Sequence, residues 1–468
     1  MKIKSSYTFL WNDYQPHRTI EGNILPLKQF RDTIWNQLNN IIQVSRHNHI
    51  YCFHSTEDLK NDIERGKNFF DKEYAAKFLS EIDEINREIW EGFRLLDNTD
   101  FSKLSNQELF EIYKKFVIVR WGKIISYFRA TQAEGTHHLV KELKKKFSDE
   151  DVTILMSPIE LDLANKEVLD WQEIVKQPYS KESLLTHARK YPWAVMDHFS
   201  YDEVIETLTQ RYNFDVKNPM TFNFIEEKKK LKEKQENLLK NNEDKRWLVE
   251  LLQKLALSRM TVKSCWAGSD FYVIKLIDEV AKRSGENPNH IHKYYLMGEI
   301  KNLLEGNPLS DEEKQKRDKC FVGLWKNGKE TYVSGDEAEK LAEKELQELY
   351  QIGDKNELNG MVAHPGVVKG IARILPCNNV EKTRELRQTF NKGEILFTGM
   401  TQPQIMDIAS KAGAIVTDEG GMLSHAATIS REFKIPCIVG THYGTQVFKD
   451  GDMVEVDAVK GIVRKINK

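Results

Sequence analysis

Cysteine and proline are scarce in this chain of 468 residues, with five of the first and twelve of the second. The cysteines (Cys52, Cys265, Cys320, Cys377, Cys437) are odd in number and contain no close pair. They therefore offer neither a disulfide framework nor a zinc knuckle, and they fit a reducing compartment. No run of about 18 uncharged apolar residues occurs. The apolar stretch around Val117–Phe128 is broken by Arg120 and Lys123, so no membrane span is expected. The first residues, Met1-Lys-Ile-Lys-Ser-Ser, lead into Trp, Asn, Asp and Gln rather than an apolar core, which is no secretory leader; a cytoplasmic location is expected. An excess of one charge is missing too. Sixty-nine basic residues stand against 71 acidic ones, for a net charge of −2. A general nucleic-acid binder needs a basic excess to displace counterions from phosphates, so that class is set aside.

What is present is enough apolar material for real cores, 40% hydrophobic and 10% aromatic, in a length that suggests about three structural units. Glycine divides the chain: residues 1–355 hold 13 and residues 356–468 hold 12. The long first part reads as helical and the short last part as mixed α/β with tight turns. Apolar residues at i, i+3, i+4 and i+7 predict helices over Phe30–Val44, Ala75–Leu95, Asn106–Ala130 and Trp247–Arg259, the last continuing towards Arg283. Ser55-Thr56-Glu57-Asp58 opens one helix, and Ser105 with Glu108 forms a capping box for another. The charged stretch Phe224–Arg246 reads as a solvated helix with i,i+4 pairs. Two β-prone runs around Asn327-Gly328 predict a hairpin with a type I′ turn, followed by a polar helix from about Gly335 to Gln351. The expected organisation is a helical region at 1–310, a hairpin-and-helix linker at 311–355, and a separate domain at 356–468. The linker is charged and poor in apolar residues, so the bodies on either side are expected to move separately.

The segment that carries chemistry is Thr417-Asp-Glu-Gly-Gly-Met-Leu-Ser-His-Ala-Ala-Thr-Ile-Ser-Arg-Glu-Phe-Lys-Ile-Pro-Cys-Ile-Val-Gly440. It reads as a strand (Ala414–Val416), a glycine turn, a histidine, a helix to about Phe433, and a second strand (Cys437–Val439). Gly420 and Gly421 remove side chains where the backbone turns sharply and a ligand must approach. Ser424 and His425 open the helix, whose free N–H groups and positive dipole end favour an anionic group. The same field lowers an imidazole pKa and keeps the ring neutral and nucleophilic. His425 is thus placed to accept a phosphoryl group, although a lone histidine with these features is more often a core or capping residue.

The whole segment resembles the phosphohistidine signature of the PEP-utilising enzymes, roughly T-x-x-G-G-x-x-S/C-H-A-A-I-x-A-R-E-x-x-I-P-x-V-V-G. That family includes pyruvate phosphate dikinase, PEP synthase, PTS enzyme I and rifampin phosphotransferase. The resemblance runs over Leu358–Lys468 and takes in Gly360-Met-Val-Ala-His-Pro-Gly-Val-Val-Lys-Gly-Ile-Ala, Gly393-Glu-Ile-Leu-Phe-Thr-Gly-Met-Thr, and Lys449-Asp-Gly-Asp-Met-Val-Glu-Val-Asp-Ala-Val-Lys-Gly-Ile-Val. Thr428 and Ser430 replace the usual Ile and Ala. The resemblance implies a swivelling β/β/α domain whose His425 carries phosphate between two sites. It further implies that Ser424 hydrogen-bonds beside the imidazole and that Gly420 and Gly421 admit the phosphate. Arg431 matches the family's arginine and faces either the phosphate or solvent, while Thr417 or Glu419 orients the ring.

In the first 355 residues, His187-Ala-Arg-Lys-Tyr-Pro-Trp193, the run Arg259–Arg283 and His292-Lys-Tyr-Tyr-Leu-Met-Gly-Glu-Ile-Lys301 resemble the helical domain of rifampin phosphotransferase-like and PEP synthase-like proteins. The first hundred residues hold only Gly22, Gly66 and Gly92 and no glycine-rich phosphate loop. The ATP-grasp domain with which the dikinases begin is not recognised, nor is their TIM-barrel domain. ATP and Mg²⁺ are therefore expected on a separate ATP-grasp partner, and a small-molecule acceptor on the helical region. Arg129, Glu134 and His137, at the polar end of an apolar helix, are candidate acceptor-binding residues, with His138 beside them. His47 and His49 would share one face of a strand with His54 nearby, but no carboxylate or cysteine completes a ligand set, so no metal site is assigned. The expected function is phosphoryl transfer through His425. The alternatives are a non-catalytic phosphocarrier or regulatory protein whose helices bind another protein, and an inactive family member.

Overall fold

The computed structural model describes residues 7–14, 17–29, 35, 38–47, 49–115, 121–196, 198–217, 219, 223–347, 355–376, 379–401, 405–421 and 424–466. Strands β1 (Tyr7–Tyr14), β2 (Asn40–Arg46), β3 (His49–Ser55), β4 (Phe321–Lys326) and β5 (Lys329–Ser334) form an antiparallel sheet in the order β1-β3-β2-β4-β5. β2 corrects one expectation. Its Ile41, Ile42 and Val44 lie in the window predicted as the helix Phe30–Val44, yet they form a strand whose interior, Ile41 to Ser45, is buried throughout. Apolar residues on both faces of a central strand mimic helical spacing, and β-branched side chains favour the pleated surface. Residues 30–34 of that window lie outside the described residues.

The β2–β3 turn also separates two histidines expected on one face. His47 adopts φ +49° in the turn, with Nδ1 3.0 Å from Asp318 Oδ2, while His49 begins β3. Asn327 (φ +52°) and Gly328 (φ +79°) make the β4–β5 turn. This hairpin does not stand alone in a linker at 311–355, contrary to the expectation from its charged flanks. β4 pairs with β2 from Asn40↔Lys326 to Ser45↔Phe321. The helix Gly335–Leu346 packs on the same sheet, and Arg46 grips its Glu339 through Nε (3.0 Å) and Nη2 (2.8 Å). Accordingly the chain divides into one unit of residues 1–20, 40–56 and 311–468 and another of 21–39 and 57–310. Pairing of strands so far apart in sequence leaves no local signal. The end of the polar helix predicted to Gln351 lies outside the described residues.

The second unit is helical, as expected. Its helix Lys72–Asn98 is capped by Asp71 and buries Ala75, Phe78, Ile82, Ile85, Ile89, Phe93 and Leu96 along one stripe. The predicted run Trp247–Arg283 is two helices, Arg246–Ala267 and Ser269–Ser284. A Cβ on Gly268 would meet the Pro192 side chain at 2.6 Å and Ser264 O at 2.7 Å, so the break occurs where backbone and proline are pressed together. The predicted capping box at Ser105 and Glu108 is formed. The charged stretch forms the helix Phe224–Leu239, anchored by buried Phe224, Gln235 and Leu239.

The C-terminal domain of the first unit is an eight-stranded mixed sheet in the order β6-β13-β12-β8-β9-β10-β11-β7. Its strands are β6 (Glu357–Asn359), β7 (Met361–His364), β8 (Val367–Leu375), β9 (Ile395–Thr398), β10 (Ala414–Thr417), β11 (Cys437–Val439), β12 (Met453–Asp457) and β13 (Ile462–Lys465). β8 to β11 run parallel. β9, β10 and β11 are buried at every residue, the pattern of parallel strands covered on both faces. Leu396, Ile415, Cys437 and Val439 pack on one face with Ala426, Ala427 and Ile429 of the following helix, while Ile395, Phe397, Ala414, Val416 and Ile438 pack on the other with Phe448, Val454 and Val456. The expected pairing of a helical region with a C-terminal α/β domain is thus observed. Among the described residues, no helix is long and apolar enough to cross a membrane.

Candidate phosphohistidine site

β10 ends at Thr417, and the chain then crosses the carboxyl end of the parallel strands before starting the helix His425–Phe433. Ligands of open α/β sheets bind at this end of the strands. The crossing is built by backbone. Asp418 N donates to Thr398 O (3.1 Å) and Glu419 N to Gly399 O (2.9 Å), which fastens the loop to the end of β9. Gly420 adopts φ +105°, and a Cβ there would lie 2.9 Å from Ser424 Cβ and 3.0 Å from Ser424 Oγ. Backbone conformation and crowding thus both require glycine at this position. Gly421 differs: no described atom lies within 4 Å of the position its Cβ would take. Its missing side chain leaves open space rather than relieving a clash.

Ser424 is the N-cap of the helix. Its Oγ accepts from Ala427 N (3.2 Å), and its own N–H donates to Gly421 O (2.9 Å). His425 is the first helical residue, so its backbone stands in the turn whose N–H groups lack intrahelical acceptors and carry the positive end of the dipole. At the other end, Lys434 closes the helix in the left-handed conformation, and Ile435 N donates to Ser430 O (2.9 Å).

Asp418 locks the loop from beneath. Fully buried, it accepts from Thr445 N (3.0 Å) and Thr445 Oγ1 (2.5 Å), and it lies 3.4 Å from Thr441 Oγ1. Thr441 donates to Thr417 O through both N and Oγ1 at 3.0 Å, and His442 N donates to Asp418 O (2.9 Å). The loop after β11 is therefore clamped onto the loop after β10. Gly444 fits because a Cβ there would lie 2.8 Å from Asp418 Oδ1. His442 holds φ +66°, and burial pushes its imidazole pKa down. Next to it, Tyr443 packs against the core on one face of the eight-stranded sheet and against that of the five-stranded sheet.

The structure brings Thr417, Gly420, Gly421, Ser424 and His425 into one turn, but it employs them differently from one another. Thr417, fully buried, donates its Oγ1 to Glu419 O (2.6 Å) and shapes the turn from below. Arg431 directs Nε to Ala363 O of β7 (3.3 Å), and burial pushes its guanidinium pKa down. Six residues beyond His425, it ties the helix to an edge strand. Asp418, Thr441 and Thr445 were missed by sequence reasoning. Asp418 lies inside the quoted signature, yet its partners lie more than twenty residues on, in a loop without a motif.

The acceptor candidates lie in the helical unit. Arg129 is buried against Asp62, with Nη2 2.6 Å from Oδ2. Glu134 stands in the first turn of the helix Ala133–Leu143. His137 is exposed, its ring 5.3 Å from that of His138, whose Nε2 lies 3.5 Å from Glu64 Oε1. The described contact of Arg129 is with Asp62 rather than with Glu134 or His137. Among the described residues, no group of three or more His, Cys, Asp and Glu is placed to hold a metal ion.

The site is thus a glycine turn and a serine-capped helix at the carboxyl end of parallel strands in an α/β domain. Residues 390–461 match the PEP-utilising enzyme mobile domain. The chain is 43% identical over 129 residues to a protein named probable phosphoenolpyruvate synthase from Staphylothermus marinus, covering 27% of this chain and 15% of that one. It is 39% identical over 134 residues to phosphoenolpyruvate synthase from Pyrococcus furiosus, covering 28% and 14%. Aconitase X from Thermococcus kodakaraensis, a solved structure, aligns with TM-score 0.18 and 16% identity over 24% of this chain and all of that one, a likeness too weak to bear on the fold. The C-terminal segment of the chain is thus similar to the mobile domain of the PEP-utilising enzymes. The matched part is about one-seventh of the length of those curated relatives.

Proposed function

We propose that this chain is a phosphotransferase component that carries a phosphoryl group on His425 to an acceptor held by the helical unit. The observation that carries the reading is the start of the helix His425–Phe433, capped by Ser424 behind the Gly420–Gly421 turn, within the segment that matches the mobile domain. Chemically, an imidazole nitrogen attacks a phosphorus activated on a donor. The N–P bond forms as the P–O bond to the leaving group breaks, and an acceptor oxygen later displaces the imidazole. The first-turn N–H groups and the space at Gly421 receive the phosphoryl oxygens, and the Asp418 clamp keeps the loop in place meanwhile. ATP and Mg²⁺ are assigned to an ATP-grasp domain on a partner, and no residue of this chain is assigned to them. Two sites of transfer require the mobile domain to travel between them.

The test is labelling. Incubated with Mg-ATP and an ATP-grasp partner, the chain is expected to gain an acid-labile, base-stable phosphate. His425→Ala abolishes the label while the circular dichroism spectrum is kept. A label that persists in His425→Ala refutes the assignment. A stable phosphoprotein that passes its phosphate to no small molecule, but binds a protein when phosphorylated, favours the regulatory alternative.

A further inference from the structure

The helical unit contains a buried polar cluster that phosphoryl carriage does not use. The helix Thr56–Arg65 presents Asp62 and Arg65, and the helix Trp121–Ala130 brings Arg129 to the same carboxylate. Asp62 divides its oxygens: Oδ2 accepts from Arg129 Nη2 at 2.6 Å and Oδ1 from Arg65 Nη1 at 2.8 Å. The side chains of Asp62, Arg129 and Arg65 are only 4%, 9% and 12% exposed. Arg129 thus holds its carboxylate by one nitrogen rather than by a two-pronged fork. Its Nε is enclosed and, among the described residues, has no hydrogen-bond partner. Trp35, fully buried, lies against the same cluster. Its carbonyl oxygen accepts from Arg65 Nη1 at 3.4 Å, and the Arg65 guanidinium stands 5.3 Å from its ring centroid. The indole Nε1 of Trp35 is likewise enclosed and, among the described residues, without a partner.

Buried N–H donors are rarely left unpaired, because each has given up its hydrogen bond to water. Here two of them, one on a guanidinium, belong to one cluster. Both lack an acceptor, not a donor. An oxyanion supplies acceptors and a negative charge beside Arg129, one oxygen taking the Nε–H while Nη2 stays with Asp62.

We propose that the Asp62–Arg65–Arg129–Trp35 cluster binds a small oxyanion, a carboxylate or a phosphate, through Arg129 Nε and Trp35 Nε1. If the phosphotransfer reading holds, this is where the acceptor's anionic group rests; that clause alone depends on that reading, and the binding does not.

The test uses the full chain, titrated with inorganic phosphate and separately with acetate. Sodium chloride keeps the ionic strength constant, and the readout is the unfolding temperature. A saturable rise with one of the two anions is expected, and which anion produces it assigns the group. Arg129→Gln, which leaves Asp62 paired with Arg65 and so keeps the helices together, weakens the response at least tenfold. Trp35→Phe, which keeps the ring packing and removes the N–H, weakens it as well. His425→Ala leaves it unchanged, so a failed labelling experiment and a failed binding experiment remain distinct. No rise above the chloride control, or an equal rise in Arg129→Gln, overturns the proposal.

Discussion

Replacing Asp418 by alanine tests whether the clamp under the glycine turn holds the site together. The carboxylate accepts two close hydrogen bonds from Thr445, at 3.0 Å from N and 2.5 Å from Oγ1, in a fully buried position. Hydrogen bonds to a charged group contribute about 1.5–3 kcal/mol each, and such terms do not add fully within one network. Asp418→Ala is therefore expected to cost about 3 kcal/mol. Asp418→Asn should cost about 1 kcal/mol, because the amide oxygen can keep the Thr445 N–H while the Thr445 hydroxyl turns to accept from the new NH₂. All nine tryptophans precede residue 326, so their fluorescence does not report on this domain. Hydrogen exchange at the Thr441, His442 and Thr445 amides, compared across the variants, gives the local stability directly. Phosphate labelling of His425 should fall in the same order, alanine below asparagine below wild type. A cost under about 1 kcal/mol for alanine, or an asparagine variant as damaged as the alanine one, refutes the reasoning.

Glu167 offers a pH-dependent counterpart in the helical unit. Burial alone would raise its pKa, but Arg211 and His187 outweigh burial and hold the carboxyl at about 2, against an ordinary value of 4.5. A depressed carboxyl pKa contributes stability that is present above the unfolded value and is lost as the pH falls towards the folded one. The difference corresponds to about 3 kcal/mol at neutral pH, so Glu167→Gln should lose about that much at pH 7 and converge on wild type between about pH 4.5 and 2. Urea unfolding followed by tryptophan fluorescence, to which Trp171 contributes with its ring 4.1 Å from the Arg211 guanidinium, checks it; a pH-independent gap contradicts it. The two site glycines should also separate. Gly420→Ala forces a positive φ on a side chain that meets Ser424, and should lower domain stability by about 1–3 kcal/mol together with labelling. Gly421→Ala should leave stability intact and slow labelling alone, measured as the initial rate of phosphate incorporation.

Local chemistry written in consecutive residues was legible without coordinates. The turn at Gly420–Gly421, the cap at Ser424, the helix from His425 to Phe433 and the strand Cys437–Val439 all stand where spacing and residue type put them. So do the Asn327–Gly328 turn and the Ser105 capping box. Each of these is set by steric limits on φ or by hydrogen bonds spanning three or four residues, which the sequence specifies by itself. Tertiary structure decided what depends on partners distant in the chain. β2 is a strand, not the end of a helix, because β3 and β4 flank it and both its faces are covered. The hairpin at β4 and β5 joins the chain's first strands and does not serve as an isolated linker. Asp418 gained its role only when the loop after β11 folded back over it, and Arg129 met Asp62 across two helices. Burial and long-range pairing create these relations, and a side chain's neighbours in sequence carry no record of them.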